Sequence, residues 1–326
     1  MSLTADEIID RRQLRRKVSF WRILTFVLFG LFLVSVMIFG ARDAIFSAAN
    51  QDHIAKINIS GVITNDAAML DLISEVGENE KVKSVILNIS SPGGSTVGGE
   101  AMYEAVRQLS EKKPVVATVG TLAASAGYMI AAASDHVVAH RTSIVGSIGV
   151  LFQYADASKL LDNIGVKVDS VKSSPLKAEP SPFNPASPEA IAMIDKVVQD
   201  TYQWFVGLVA ERRKMDKSRV LLLADGSIFS GSQALENGLI DAIGGERAAL
   251  EWLKEEKGIT ENLEVVEYQP KRPEYGLFGD PAGIAKLAKV LGLDVDSIDI
   301  LEIESYIKQR VLLDGLVSIW HIPNSR

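Results

Sequence analysis

Two stretches of small residues in this 326-residue chain have the composition a covalent catalyst needs. The first is Ser91-Pro92-Gly93-Gly94-Ser95; the second is Gly120-Thr121-Leu122-Ala123-Ala124-Ser125-Ala126-Gly127-Tyr128. Each follows an apolar, strand-like run and precedes a helix-like one. Glycine lets a backbone N–H approach a developing negative charge, so the first stretch reads as an oxyanion hole or simply as a tight turn. A phosphate cradle is a weaker reading, because the Lys-Ser/Thr of a P-loop is missing and no GxGxxG follows. In the second stretch, small neighbours permit a sharp turn and let a substrate backbone near the Ser125 hydroxyl. A helix N-cap or a serine in tight helix packing fits the same spacing, and the GxSxG of α/β-hydrolases is absent.

A serine nucleophile needs a base. The chain has no cysteine and four histidines: His53, His136, His140 and His321. His136 and His140 stand at i, i+4, but in Asp-His-Val-Val-Ala-His, which reads as a strand and separates them by about 13 Å. No glutamate completes an HExxH pattern, so neither a metal site nor a cofactor is expected. Lysine is the other base available. Its amine is protonated in water, with a pKa of about 10.4, and desolvation can lower that by several units. A neutral amine then takes a hydroxyl proton. Lys177 is the candidate, because the Ser/Pro-rich stretch from Ser173 to Pro188 can carry it over a site.

The elements that must position these residues alternate. Strands are predicted at 55–59, 84–89, 114–119, 137–139 and 166–171, and helices at 67–76, after Ser95, and in the Ala-rich run after Gly120. Met102, Ala105, Val106 and Leu109 recur at helical spacing. Ser187 with Pro188 reads as an N-cap and first-turn proline, opening a long helix to about Lys214. Shorter helices are predicted at 232–237, ended by Gly238, and at 246–257. Alternating strands and helices imply an α/β fold with mostly parallel pairing. Beyond Gln269 a Pro/Gly-containing linker leads to amphipathic segments at 281–291 and 301–313. The apolar run 315–320 calls for cover, by another subunit or by membrane.

Net charge is −7, which argues against a nucleic-acid partner. Mean hydropathy is +0.16, and much of the apolar surplus lies in one place. From Ile23 to Ala41 there is no charged residue. Nineteen helical residues span roughly 28 Å, close to the ~30 Å hydrocarbon core of a bilayer. Arg11, Arg12, Arg15, Arg16, Lys17 and Arg22 precede this run, whereas only Arg42 follows closely. The bias predicts a single-pass anchor with a cytoplasmic N-terminus and the bulk of the chain outside the cytoplasm.

Taken in order, these pieces resemble the signal peptide peptidase A family (protease IV, peptidase family S49) in its short, membrane-anchored form. The matching pieces are Ser90-Ser91-Pro92-Gly93-Gly94, Ala123–Tyr128, Thr142–Val150 with its Gly146-Ser147-Ile148-Gly149, the Lys177 segment, Ile228-Phe229-Ser230-Gly231 with Gln233-Ala234-Leu235, and Gly238-Leu239-Ile240-Asp241. The resemblance implies an α/β, ClpP/crotonase-like fold with an N-terminal transmembrane helix and C-terminal helical additions. It divides the chain into a basic tail (1–22), anchor (23–41), connector (42–52), peptidase domain (53–268) and C-terminal extension (269–326). It further implies a Ser/Lys dyad: Ser125 as nucleophile, Lys177 as general base, Ser147 as the serine that orients the lysine, and backbone N–H groups of Gly93 or Gly94 in the oxyanion hole. Two departures are visible. Ala126 stands where glycine is commoner, and Pro175 stands where many relatives carry a second lysine, leaving Lys177 as the natural match and Lys172 as a less favoured substitute.

The activity implied is endoproteolysis of cleaved signal peptides and other apolar or unfolded peptides, outside the cytoplasm at a bacterial inner membrane. The family forms homo-oligomers, in which the lysine comes from the same or an adjacent subunit. Two other readings use the same fold: acyl-CoA chemistry, disfavoured by an exported position, and a non-catalytic, membrane-anchored oligomeric scaffold.

Overall fold

Runs of β-branched residues bounded by turns build the strands that centre this molecule. The computed structural model describes residues 22, 25–30, 32–33, 51–259, 263–271 and, for the backbone alone, 317–319. In chain order the strands are β1 (His53–Ser60), β2 (Val82–Ser91), β3 (Gly93–Ser95), β4 (Val115–Ala124) and β5 (His136–Ala139). They continue with β6 (Ile144–Gly146), β7 (Ile228–Ser230), β8 (Ala242–Ile243), β9 (Glu264–Tyr268) and β10 (Val317–Ile319). The helices of this part are α1 (Ala67–Glu78), α2 (Thr96–Lys112), α3 (Ala126–Ala133) and α4 (Ser158–Asn163). After them come α5 (Pro188–Arg212), α6 (Lys217–Leu221), α7 (Gly231–Glu236) and α8 (Glu246–Lys257).

The main sheet has the order β7-β6-β4-β2-β1-β9, with β5 between β4 and β8. Parallel pairing joins β2 to β4, and β4 to both β5 and β6. Those two share one edge of β4: β5 takes Val116–Val119 and β6 takes Leu122–Ala124. A parallel strand covered on both faces is apolar throughout, and Val115, Val116, Ala117, Val119, Ala123 and Ala124 of β4 are all buried. Side-chain alternation divides β2. Val85, Leu87 and Ile89 join the larger core with α1, α2, α3 and α5, whereas Ile86 meets Val116, Val138 and Leu253 on the opposite face.

Helix α3 is buried along its whole length, as its all-apolar Ala-Gly-Tyr-Met-Ile-Ala-Ala-Ala sequence requires. At its C-terminal end three carbonyls are held by arginines. Arg107 donates to Ala133 O at 2.9 Å, and Arg212 donates to Ala132 O at 3.1 Å and Ser134 O at 3.2 Å. Cations there also complement the helix dipole. Elsewhere the capping residues behave as read from the sequence. Ser187 accepts from Ala190 N at 3.1 Å with Pro188 in the first turn.

Most predicted elements form, several of them longer than expected: β2 extends to Ser91 and β4 to Ala124. One expectation fails. Residues 166–171 are exposed and irregular rather than a strand, because their alternating pattern meets no neighbouring strand among the described residues. Of the apolar tail, residues 317–319 form β10, antiparallel to β3 of the same chain.

The first 53 residues form a separate unit. Within it Arg22, 25–30 and 32–33 are helical, and Phe26, Leu28, Phe29 and Phe32 are exposed. The remainder of the anchor segment, and the amphipathic segments expected at 281–291 and 301–313, lie outside the described residues. Among the described residues no helix is long and apolar enough to cross a membrane.

Candidate active site

Ser125 occupies the single residue between β4 and α3. Its backbone has φ 57° and ψ −120°, a conformation that L residues with side chains rarely adopt. Such strain costs on the order of 1–3 kcal/mol and persists only where surroundings over-determine it. Here the determinants are visible. Ser125 N donates to Gly146 O at 2.8 Å, and Ser125 O accepts from Met129 N at 2.9 Å in the first turn of α3. The side chain does not cap the helix, so the N-cap reading of this serine is set aside. Small neighbours are required sterically. A Cβ at Gly127 would lie 2.9 Å from Ser91 O, and one at Gly99 would lie 2.9 Å from the Cβ of Ala126. Ala126 itself fits the turn, with φ and packing of an ordinary helical residue.

Ser147 is brought beside it by strand register. Ala124 pairs with Gly146, so Ser125 and Ser147 both sit one residue beyond the last β4–β6 rung. Ser147 also has positive φ, 53°, and its N–H donates to Ser227 O at 2.8 Å. The latter carbonyl belongs to the turn entering β7, which explains why the Ile228–Gly231 segment belongs with the site. Sequence reasoning did not single out Ser227; its signal was only its place before that turn.

The glycine strand is held on one edge by Ile63. Ile63 N donates to Gly93 O at 2.8 Å, and Ser95 N donates to Ile63 O at 2.9 Å. Alternation along a strand turns the N–H and C=O of Gly94 to the opposite edge, where β10 lies. A Cβ at Gly94 would stand 1.8 Å from Ile63 O, so only glycine fits. Gly93 has φ 106°, and its N–H donates to Ser91 Oγ at 3.1 Å, while Ser91 Oγ donates to Gly61 O at 2.7 Å. The sequence placed Ser91 in the glycine motif without giving it a role; the structure makes it the anchor of the Gly-Gly turn. Register ties this strand to the serine: Ser91 pairs with Ala123, and Gly93 and Ser125 each lie two residues further on.

Within this chain Lys177 makes no hydrogen bond to Ser125. It lies exposed in a turn, with its N–H donating to Ser174 O at 3.1 Å, and its side chain makes no hydrogen bond or ion pair among the described residues. Lys172 is engaged instead by Glu179; that hydrogen bond, with another from Ser181 N, holds the Glu179 carboxyl below the usual carboxylate range. The segment carrying both lysines exposes Leu151, Leu160, Ile164, Val171, Leu176 and Phe183.

Other residues of the sequence motifs are structural. Tyr128 is fully buried and donates to Leu239 O at 2.9 Å, and burial pushes its hydroxyl pKa up. Asp241 receives Arg213 at 2.6 and 3.0 Å and Val137 N at 2.8 Å. Burial alone would raise its carboxyl, but the Arg213 hydrogen bonds outweigh this and hold it below the usual range. His136 stacks on Trp252 at 4.6 Å and faces Asp241, with burial lowering its pKa. Among the described residues no group of three His, Asp or Glu side chains could hold a metal ion.

A mixed α/β sheet that delivers a strained serine beside a glycine strand fits the ClpP/crotonase-like class. In keeping with this, the Clp protease family model matches residues 45–153 and the Peptidase family S49 model matches residues 107–260. Three relatives extend the match. A candidate protease of Methanocaldococcus jannaschii is 38% identical over 210 residues, covering 64% of this chain and 67% of the relative. A candidate protease of Synechocystis is 34% identical over 253 residues, covering 76% and 91% respectively. A candidate signal peptide peptidase SppA of Enterococcus faecium is 34% identical over 242 residues, with 70% of each chain covered. The chain belongs to peptidase family S49, and it is a protease.

Proposed function

We propose that this protease cleaves peptide bonds with Ser125 as nucleophile and Lys177 as general base. The observation that carries the reading is the strained backbone of Ser125. Strain of this kind sets a hydroxyl at the end of a strand and above a helix N-terminus, with backbone donors alongside. In the proposed step the neutral Lys177 amine takes the Ser125 proton as Oγ attacks the peptide carbonyl. The carbonyl oxygen gains negative charge and is held by backbone N–H groups of the glycine strand, Gly94 N–H being turned toward that edge and Gly93 N–H being released from Ser91 on binding. Lys177 then protonates the leaving amine, and water enters by the same base to free the acyl group. Ser147, next to Ser125 by register, orients the amine.

Lys177 reaches the site when a second copy of the chain covers the 150–187 segment. Exposed apolar side chains along this segment favour that reading, because a monomer rarely leaves such a row in water. The protein is therefore read as a homo-oligomer whose subunits share sites. Residues 23–41 anchor it in a bacterial inner membrane, with the basic N-terminus cytoplasmic and the catalytic part outside. Substrates are apolar peptides, including cleaved signal peptides, released near that surface. The test is hydrolysis of a quenched apolar peptide by the full chain in detergent. Wild type is expected to turn over and Ser125→Ala to be inert; equal rates would favour the scaffold reading.

A further inference from the structure

The helix that begins at the nucleophile carries one side chain with a hydroxyl. In α3, Ala-Gly-Tyr-Met-Ile-Ala-Ala-Ala, that residue is Tyr128, and it is wholly buried. Phenylalanine would fill nearly the same volume without the cost of drying a hydroxyl, a cost offset only by a hydrogen bond. Tyr128 makes that bond to Leu239 O at 2.9 Å, across 111 residues of chain. Burial pushes its ionisation upward, so the hydroxyl keeps its proton and remains a donor.

The acceptor is fixed from several sides. Leu239 N donates to Ala234 O at 2.8 Å, which ties this stretch to α7. Arg213 Nε donates to Gly238 O at 2.8 Å while its other nitrogens hold Asp241, and Asp241 N donates to Val137 O at 2.8 Å. Helix α7 follows directly on β7, and the turn entering β7 supplies Ser227 O, the acceptor for Ser147 N. The tether therefore runs from the first turn of α3, three residues after Ser125, to the block of structure that holds Ser147. Gly127 against Ser91 and Ala126 against Gly99 close other sides of that turn by packing. Packing resists compression of a short helix, whereas a directional hydrogen bond also resists its rotation.

We propose that Tyr128 is a positioning residue for the reaction: its hydroxyl, anchored on Leu239 O, fixes the rotation of α3 and so the placement of Ser125 relative to Ser147. This role rests on Ser125 being the nucleophile. A serine turned slightly from its place still faces a bound peptide but meets the carbonyl at a worse angle, so the loss falls on kcat rather than on KM.

The test is Tyr128→Phe in the full chain in detergent, beside Tyr202→Phe. Tyr202 makes a comparable bond, to Ala224 O at 2.8 Å, from α5 rather than from the nucleophile helix. Losing one such bond should lower Tm by about 2–4 °C in either variant. On a quenched apolar peptide, well below both melting temperatures, Tyr128→Phe is expected to lose at least about tenfold in kcat with KM within about twofold. Tyr202→Phe should keep wild-type kcat, and fluorophosphonate labelling of Ser125 should slow only in Tyr128→Phe. A second variant, Arg213→Lys, leaves the hydroxyl in place but loses the fork that holds Gly238 O and Asp241, and it should lower kcat with KM unchanged. A kcat for Tyr128→Phe within about threefold of wild type, or an equal fall in Tyr202→Phe, overturns the positioning role alone, provided that Ser125→Ala is inert. If Tyr128→Phe does not fold, Arg213→Lys decides, and a kcat within about threefold of wild type there overturns the role. Equal turnover by wild type and Ser125→Ala would instead overturn the catalytic reading beneath it.

Discussion

Ser125 and Ser147 leave two hydrogen-bonded parallel strands at the same rung, and both do so in left-handed backbone, at φ 57° and 53°. Paired parallel strands run about 4.8 Å apart, so the register alone sets the two serines side by side. The carbonyl between them, Gly146 O, accepts the Ser125 N–H. Neither serine could be moved without rebuilding the β4–β6 junction.

That strain is measurable. Ser125→Gly relieves a conformation worth about 1–3 kcal/mol, offset by roughly 1 kcal/mol for the added freedom of glycine in the unfolded chain. The variant is expected to lose all turnover while its Tm holds or rises by about 2–4 °C per kcal/mol gained. Differential scanning calorimetry of Ser125→Gly beside Ser125→Ala checks this; a Tm lower for the glycine variant than for the alanine variant would contradict it.

The glycine strand predicts a contrast between two glycines. Gly94→Ala would put a methyl 1.8 Å from Ile63 O, whereas a methyl at Gly149 would meet only Gly226 Cα at 3.8 Å. Gly94→Ala should lower turnover by at least about a hundredfold, the scale of losing one oxyanion donor. Gly149→Ala should stay within about threefold of wild type on the same assay, since ordinary van der Waals contact forces no backbone shift.

If Lys177 is supplied by a neighbouring subunit, complementation follows by counting. Ser125→Ala and Lys177→Ala are each inert, but co-expressed in equal amounts they pair an intact serine with an intact lysine at about a quarter of the shared sites. Turnover near a quarter of wild type is expected. A mixture as inert as its components would place the lysine in its own subunit. Lys172→Ala, with its partner Glu179, should keep most of the activity.

Asp241 supplies the pH dependence of stability. Its carboxyl is held below its usual range in the folded chain, so its stabilisation is present above the unfolded value of about 3.9 and is lost as pH falls through the folded value. Asp241→Asn should cost on the order of 2 kcal/mol at pH 7. The difference from wild type should shrink as the pH of the denaturation experiment is taken below about 4. A gap independent of pH would mean that the Arg213 contact is not what stabilises.

Much of the fold was legible because long, strongly patterned segments carry their own signal. The helix at 246–257 has a clear amphipathic face, and Ser187-Pro188 marks the start of α5. The site was legible only in residue type. Ser125 and Gly93–Gly94 stood out, but nothing in the spacing said that Ser147 would be adjacent, because that follows from a three-residue strand, β6, with one glycine in it. The strands β3 and β10 were hidden for the same reason: three residues show no period. Residues 166–171 failed in the other direction, since an alternating pattern makes a strand only where another strand accepts it.

The central claim is that Ser125 is the nucleophile. It is tested most directly by treating the full chain in detergent with a fluorophosphonate and locating the adduct by mass spectrometry. A single adduct on the peptide containing Ser125, absent from Ser125→Ala and formed far more slowly in Lys177→Ala, is the predicted result. Labelling of wild type no greater than of Ser125→Ala, or an adduct on another serine, would contradict it.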